Sequence, residues 1–355
     1  MRITRRDFLK YCSIAAGALG LTATDLLKME KALASPGGLK VIWLNGQACT
    51  GCTVSLANSS YYTTVQELLL ALSAPASETL DIAFIETLSG ATGSEIATQV
   101  ASVATATGAF ALCVEGAIPT GASGAYCEIG EDWLGMTGAV TIEAAVKNLA
   151  TRTNCAAVIA VGTCASFGGI PAGFPNPTTA KGVLGLYTKG TTDYRTVRSK
   201  LLNIPGCPPN PNWIVGTIAY LLANDLQAFP SVDALRRPRT YYGERICNNC
   251  DRFNANKDKF VGVDKSGSGS WGGGGLTVVA PNELGNPDVN KPGGYCLKKA
   301  GCKGSRTKSD CSLRKWHSPG KLQTGVNWCV GAGAPCQGCT QDKFPDGMSP
   351  FLYIR

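Results

Sequence analysis

The chain reads as an α/β protein: a doubly wound parallel sheet followed by a smaller, irregular domain rich in cysteine. Apolar runs of four to seven residues alternate with helix-periodic stretches from Leu39 to about Leu226. That alternation is the pattern of parallel strands crossed by covering helices. Beyond Pro230 the periodicity stops, and residues 233–355 hold eight cysteines and many glycines. A segment with so little core of its own is best organised around metal.

Strands are expected at Leu39–Asn45, Leu80–Ile85, Phe110–Val114, Ala156–Val161 and Leu201–Ile204. Helices are expected at Thr63–Leu72, Ser94–Ala104, Thr141–Ala150 and Trp213–Asn224, and Asn154 to Ala180 reads as a buried strand followed by a loop. Ligands of such sheets sit beyond the carboxyl ends of the strands. Cys49 and Cys52 follow the first strand, Cys164 the fourth and Cys207 the fifth. Three loops far apart in sequence should therefore bring four thiols to one edge. Ser266–Gly275 reads as a flexible Gly/Ser/Trp loop.

The N-terminus carries a different message. Thr4-Arg5-Arg6-Asp7-Phe8-Leu9-Lys10 precedes a mildly apolar stretch from Tyr11 to Leu27, and Ala32-Leu33-Ala34 offers a small-x-small cleavage site. Together these predict a twin-arginine signal peptide over residues 1–34. The mature domains are then 35–232 and 233–355, exported by the twin-arginine translocase to the periplasm and soluble after cleavage. Cys12 lies in the segment to be removed.

Twelve of the sixteen cysteines fall into three groups of four. They are Cys49, Cys52, Cys164 and Cys207; Cys247, Cys250, Cys296 and Cys302; and Cys311, Cys329, Cys336 and Cys339. Each group contains one Cys-x-x-Cys pair, the usual spacing of iron–sulfur ligands. An oxidising compartment favours disulfides instead. Against that, a mature chain of about 320 residues can bury an ample core without staples, and twin-arginine export carries proteins already folded around cofactors.

Removing residues 1–34 takes away six basic and three acidic residues, so the formal charge of +8 becomes +5. Three oxidised 4Fe–4S groups, each about −2 with its thiolates, would bring this to about −1. The basic balance is thus no sign of a nucleic-acid partner.

Six motifs, in order, resemble the small subunit of nickel–iron hydrogenases. They are Cys49-Thr50-Gly51-Cys52, Val114-Glu115-Gly116-Ala117-Ile118-Pro119, Gly162-Thr163-Cys164-Ala165-Ser166-Phe167-Gly168-Gly169, Ile204-Pro205-Gly206-Cys207-Pro208-Pro209-Asn210-Pro211, Gly301-Cys302-Lys303-Gly304 and Pro335-Cys336-Gln337-Gly338-Cys339. A closing Phe344-Pro345-Asp346-Gly347-Met348-Ser349-Pro350-Phe351 follows. The resemblance implies a flavodoxin-like domain holding a proximal 4Fe–4S cluster, then a domain with medial and distal clusters. In that family the three clusters lead electrons between a nickel–iron site in a separate large subunit and an external carrier, such as a c-type cytochrome. The reaction is reversible oxidation of hydrogen to protons and electrons, and no residue of this chain is expected to split hydrogen itself.

Carried over by motif, Cys49, Cys52, Cys164 and Cys207 match the proximal ligands. Cys250, Cys296 and Cys302 match three distal ligands, and Cys311, Cys336 and Cys339 match the medial set. The chain departs from the common pattern at two ligand positions. Cys247 stands where the distal cluster usually has His, while the only histidine, His317, reads as a surface residue. Cys329, in Asn327-Trp328-Cys329-Val330, stands where relatives with a 3Fe–4S medial cluster carry Pro. Relatives with nickel–iron–selenium centres look similar there. All three clusters are therefore expected to be 4Fe–4S and of low potential. Gly51 and Gly169 occupy the places where oxygen-tolerant members carry extra cysteines, so the resemblance implies an oxygen-inhibited enzyme.

Other residues keep two readings. Glu115 either relays a proton or fixes the subunit interface near the proximal cluster, or is a satisfied structural carboxylate. Eight basic residues against Asp310 between Cys296 and Lys321 form either a docking surface for an acidic electron partner or a solvated face. Cys113 reads as a small buried hydrophobe, and Cys127 and Cys155 either pair or stay reduced. The 45 residues between Cys250 and Cys296 are long for the family.

Overall fold

A five-stranded parallel sheet organises the first part of the chain. In the computed structural model the described residues are 39–59, 80–85, 87, 94–224, 226, 228–255, 296–317 and 325–348. The signal peptide, the helix expected at Thr63–Leu72, the Ser266–Gly275 loop and the end of the closing motif lie outside them. The described residues fall into two compact units divided between Thr240 and Tyr241.

The sheet is built from β1 (Leu39–Asn45), β2 (Leu80–Ile85), β3 (Phe110–Glu115), β7 (Cys155–Val161) and β9 (Leu201–Ile204). Between β3 and β9 come two short antiparallel ladders, β4 (Ile118–Pro119) with β8 (Ala180–Lys181) and β5 (Glu128–Glu131) with β6 (Ala139–Thr141). The sheet order is β2-β1-β3-β7-β9, all parallel. Counting only these five strands, this is the 2-1-3-4-5 order of flavodoxin-like sheets. Every residue of β3 and β9 is buried, which is why these strands read as continuous apolar runs rather than alternating ones.

Helices α1 (Gly51–Ala57), α2 (Ser94–Ala104), α3 (Ile142–Thr151), α4 (Gly162–Phe167), α5 (Thr192–Lys200) and α6 (Pro211–Ala223) accompany the sheet. Helix α3 shows why its sequence folds as it does. Thr141 caps it by accepting from Ala144 N at 3.2 Å, and Glu143 pairs with Lys147 one turn on at 2.6 Å. Its apolar face, with Ile142, Ala145, Val146 and Leu149, joins one core with Phe110, Leu112, Val158 and Leu201. Cys113 is wholly buried in β3.

Two differences from the expected elements have physical causes. The segment after β7 is not all loop: α4 carries Cys164. Helix α5 has no counterpart in the sequence pattern because only Val197 of its nine residues is buried, leaving almost no apolar period to read.

The second unit has a small core of Ile246, Cys250, Leu297, Trp328, Val330 and Cys336. Among its described residues the elements are short: α7 (Asp251–Ala255), α8 (Cys311–Arg314) and single 3₁₀ turns. No disulfide joins any of the fifteen cysteines other than Cys12, so Cys127 and Cys155 are not bonded to each other. Among the described residues no helix is long and apolar enough to cross a membrane.

Candidate metal centres

At the carboxyl edge of the sheet, loops from β1, β7 and β9 converge. Ser55 Oγ in α1 donates to Pro209 O at 2.6 Å, joining the first loop to the last. Thr163 N donates to Gly206 O at 3.0 Å, and Gly206 N donates back to Thr163 Oγ1 at 2.9 Å. Between them stand Cys49, Cys52, Cys164 and Cys207. Burial pushes the Cys52 thiol far above its ordinary pKa, and Glu115, Cys164, Cys49 and Cys207 push it further. Cys164 is raised to about 11 by burial first, then by Cys207. Burial and Cys49 also raise Cys207.

Glycine makes the room. A Cβ on Gly162 would stand 2.5 Å from Cys52 Sγ, and one on Gly169 would stand 2.8 Å from Cys164 Sγ. Both glycines have positive φ, +86° and +53°, where a side chain is strained in any case. At Gly51 a Cβ would meet Cys49 Sγ at 3.1 Å. The backbone is thus cut away around sulfur.

Glu115, at the end of β3, underpins the first loop. Its Oε1 accepts from Cys52 N at 3.0 Å and Thr53 N at 3.3 Å, while Oε2 accepts from Trp43 Nε1 at 3.2 Å and Thr53 Oγ1 at 2.5 Å. A carboxylate has about four lone-pair sites, and these four donors occupy them. Of the two readings of Glu115, the geometry is that of a satisfied structural carboxylate beneath the Cys49-x-x-Cys52 turn.

The second unit gathers the other thiols. Cys247 lies in the turn Ile246–Asn249, Cys250 precedes α7, and Cys296 and Cys302 flank the turn Leu297–Ala300. Cys247 is raised to about 12 by burial, then by Cys302, Cys250 and Cys296. Cys296 reaches about 11 through burial and its neighbours Cys302 and Cys250. Gly304 again leaves space, its missing Cβ lying 3.2 Å from Cys247 Sγ and 3.6 Å from Cys302 Sγ. Cys311 heads α8 and is raised by burial and by Cys339, while Ser309 Oγ lies 2.9 Å from its sulfur. Burial, Cys302 and Cys339 raise Cys336.

Two of these sets touch: Cys336 N donates to Cys302 Sγ at 3.3 Å. Cys329 is exposed, and its neighbour among the thiols raising it is Cys302 rather than Cys311, Cys336 or Cys339. His317 is exposed.

A buried thiol raised by other thiols is poorly placed to ionise alone, whereas a bound cation deprotonates it outright. The donor set therefore fits a positively charged metal group. Among the described residues no group of three or more His, Cys, Asp or Glu is arranged to hold a single metal ion.

Comparison with known proteins gives the family. Residues 49–221 match the family described as NADH ubiquinone oxidoreductase, 20 Kd subunit, and residues 282–352 match the C-terminal family of NiFe/NiFeSe hydrogenase small subunits. The chain is 34% identical over 361 residues to the periplasmic [NiFeSe] hydrogenase small subunit of Desulfomicrobium baculatum, covering 99% of each. It is 30% identical over 352 residues to the periplasmic [NiFe] hydrogenase small subunit 1 of Nitratidesulfovibrio vulgaris, covering 98% of this chain and 93% of the relative. The reduced, active Ni-Fe-Se hydrogenase of Desulfomicrobium baculatum superposes with a TM-score of 0.69 at 32% identity, over 90% of this chain and 100% of that one.

The chain belongs to the small subunits of nickel–iron and nickel–iron–selenium hydrogenases. These are subunits of oxidoreductases acting on H2, with the nickel site on the large subunit.

Proposed function

We propose that this chain is the three-cluster electron relay of a periplasmic hydrogenase. Cys49, Cys52, Cys164 and Cys207 hold the proximal 4Fe–4S cluster; Cys247, Cys250, Cys296 and Cys302 the distal one; Cys311, Cys329, Cys336 and Cys339 the medial one. Residues 1–34 serve as the twin-arginine signal, and residues 35–232 and 233–355 form the two mature domains. The observation that carries the reading is the meeting of four thiols from three loops around glycines that leave space at sulfur.

When bound, the clusters supply one-electron transfer between the large-subunit nickel–iron site and an external carrier. The protein's part is to hold thiolates, exclude water and tune charge. Cys49 and Cys207 are exposed, as is the apolar Val54 in α1, five residues after Cys49. Ile170, whose backbone hydrogen-bonds Cys164, is also exposed. Such an open, apolar rim is suited to cover by the large subunit. In the second unit, exposed Arg245 and Lys298 lie by Cys247, with Arg306 on the same turn as Gly304. These cations favour a carrier with an acidic docking face, c-type cytochromes of that charge included.

The test is reduction by hydrogen. Adding H2 to the anaerobically purified complex should bleach the visible thiolate-to-iron absorption, and removing H2 should restore it. A complex that holds iron yet stays coloured under H2, while dithionite bleaches it, would break the proposed link to hydrogen.

A further inference from the structure

The second unit buries a guanidinium beside its sulfurs. Arg252 lies in α7, two residues after Cys250, with 3% of its surface exposed. Its Nε donates to Val330 O at 2.7 Å, a buried bond spanning 78 residues of sequence. Val330 directly follows Cys329, and both Val330 and Cys250 belong to the unit's small core. The side chain thus ties the helix leaving the distal thiols to the segment that carries the candidate fourth medial thiol.

Its electrical surroundings agree with that placement. Cys250, Cys296 and Cys302 are its electrostatic neighbours. Arginine keeps its proton in proteins, so the charge remains. A buried cation is best held against negative charge, and four thiolates around iron provide it. Replacing a neutral His ligand by Cys247 adds one more negative charge to that group. A fixed positive charge nearby favours the more negative, reduced form, because Coulomb energies stay large where water is excluded.

We propose that Arg252 is a positioning residue that holds the distal cluster's potential up against the extra thiolate of Cys247 and fastens the Cys329 segment beside it. The proposal rests on the distal ligand assignment made above.

The experiment is a redox titration followed by electron paramagnetic resonance on the anaerobically purified complex, comparing wild type with Arg252→Gln and Arg252→Lys. Arg252→Gln should keep its iron while the distal midpoint moves to lower potential and the proximal midpoint stays in place. Arg252→Lys, which keeps the charge, should leave the distal midpoint near that of wild type. Full iron with an unmoved distal midpoint in Arg252→Gln overturns the proposal. If Arg252→Gln loses iron, the Lys variant decides: a native midpoint supports the charge role, and a lowered one with full iron refutes it. A wild-type complex without a distal four-iron signal would instead overturn the ligand assignment itself.

Discussion

Cys164→Ala should leave a folded protein that has lost its proximal cluster and its hydrogen turnover. The helix bearing Cys164 starts at Gly162 and is tied to the β9 loop through Thr163 and Gly206, so the backbone does not depend on the thiol. Alanine is also the best helix former. What disappears is one of four convergent ligands, at a place where Gly169 has no side chain of its own to offer. Iron in the small subunit should fall by about four of about twelve atoms. Turnover with an artificial acceptor should fall at least about 100-fold, beyond the range seen when only a residue supporting a ligand is lost. Iron analysis and an activity assay on the same preparation read both effects. Full iron with near-native turnover would remove Cys164 from the ligand set.

Glu115→Ala should cost stability as well as cluster. It strips the acceptor from Trp43 Nε1, Cys52 N, Thr53 N and Thr53 Oγ1 at once. Each buried donor left unsatisfied costs about 1–3 kcal/mol, against a total stability of about 5–15 kcal/mol for a typical protein. The melting temperature of the complex should drop by about 10 °C, at about 2–4 °C per kcal/mol for a unit of this size. Glu115→Gln should be milder, since it keeps one acceptor oxygen. A melt of Glu115→Ala within about 2 °C of wild type would show that the hydrogen bonds to this carboxylate do not hold the turn.

The sheet was legible because its strands are apolar runs bounded by turns, and all five expected strands fall within one residue of those observed. The convergence of Cys49, Cys52, Cys164 and Cys207 was legible for a related reason. In a parallel sheet each carboxyl end points to the same edge, so position after a strand fixes position in space. Helices α1 and α4 were hidden by their shortness and by the cysteine motifs they carry. Thr50 begins α1 from a left-handed conformation, φ 59°, with no side-chain cap to announce it. Glu115 was legible as a motif residue, but its donors lie up to 72 positions away, so its role needed the fold. The second unit was least legible. With few repeating elements, nothing in its sequence shows that Cys336 N meets Cys302 Sγ, or that Arg252 reaches Val330.

The central claim is that twelve of these thiols hold three four-iron clusters for an enzyme that turns over hydrogen. Iron and nickel per complex, purified without air from the native host, test it most directly. About twelve irons in the small subunit, with about one nickel in its partner, is the predicted result. About eleven irons with a strong 3Fe–4S signal would remove Cys329 from the medial ligands and leave the rest standing. Essentially no iron would contradict the account as a whole.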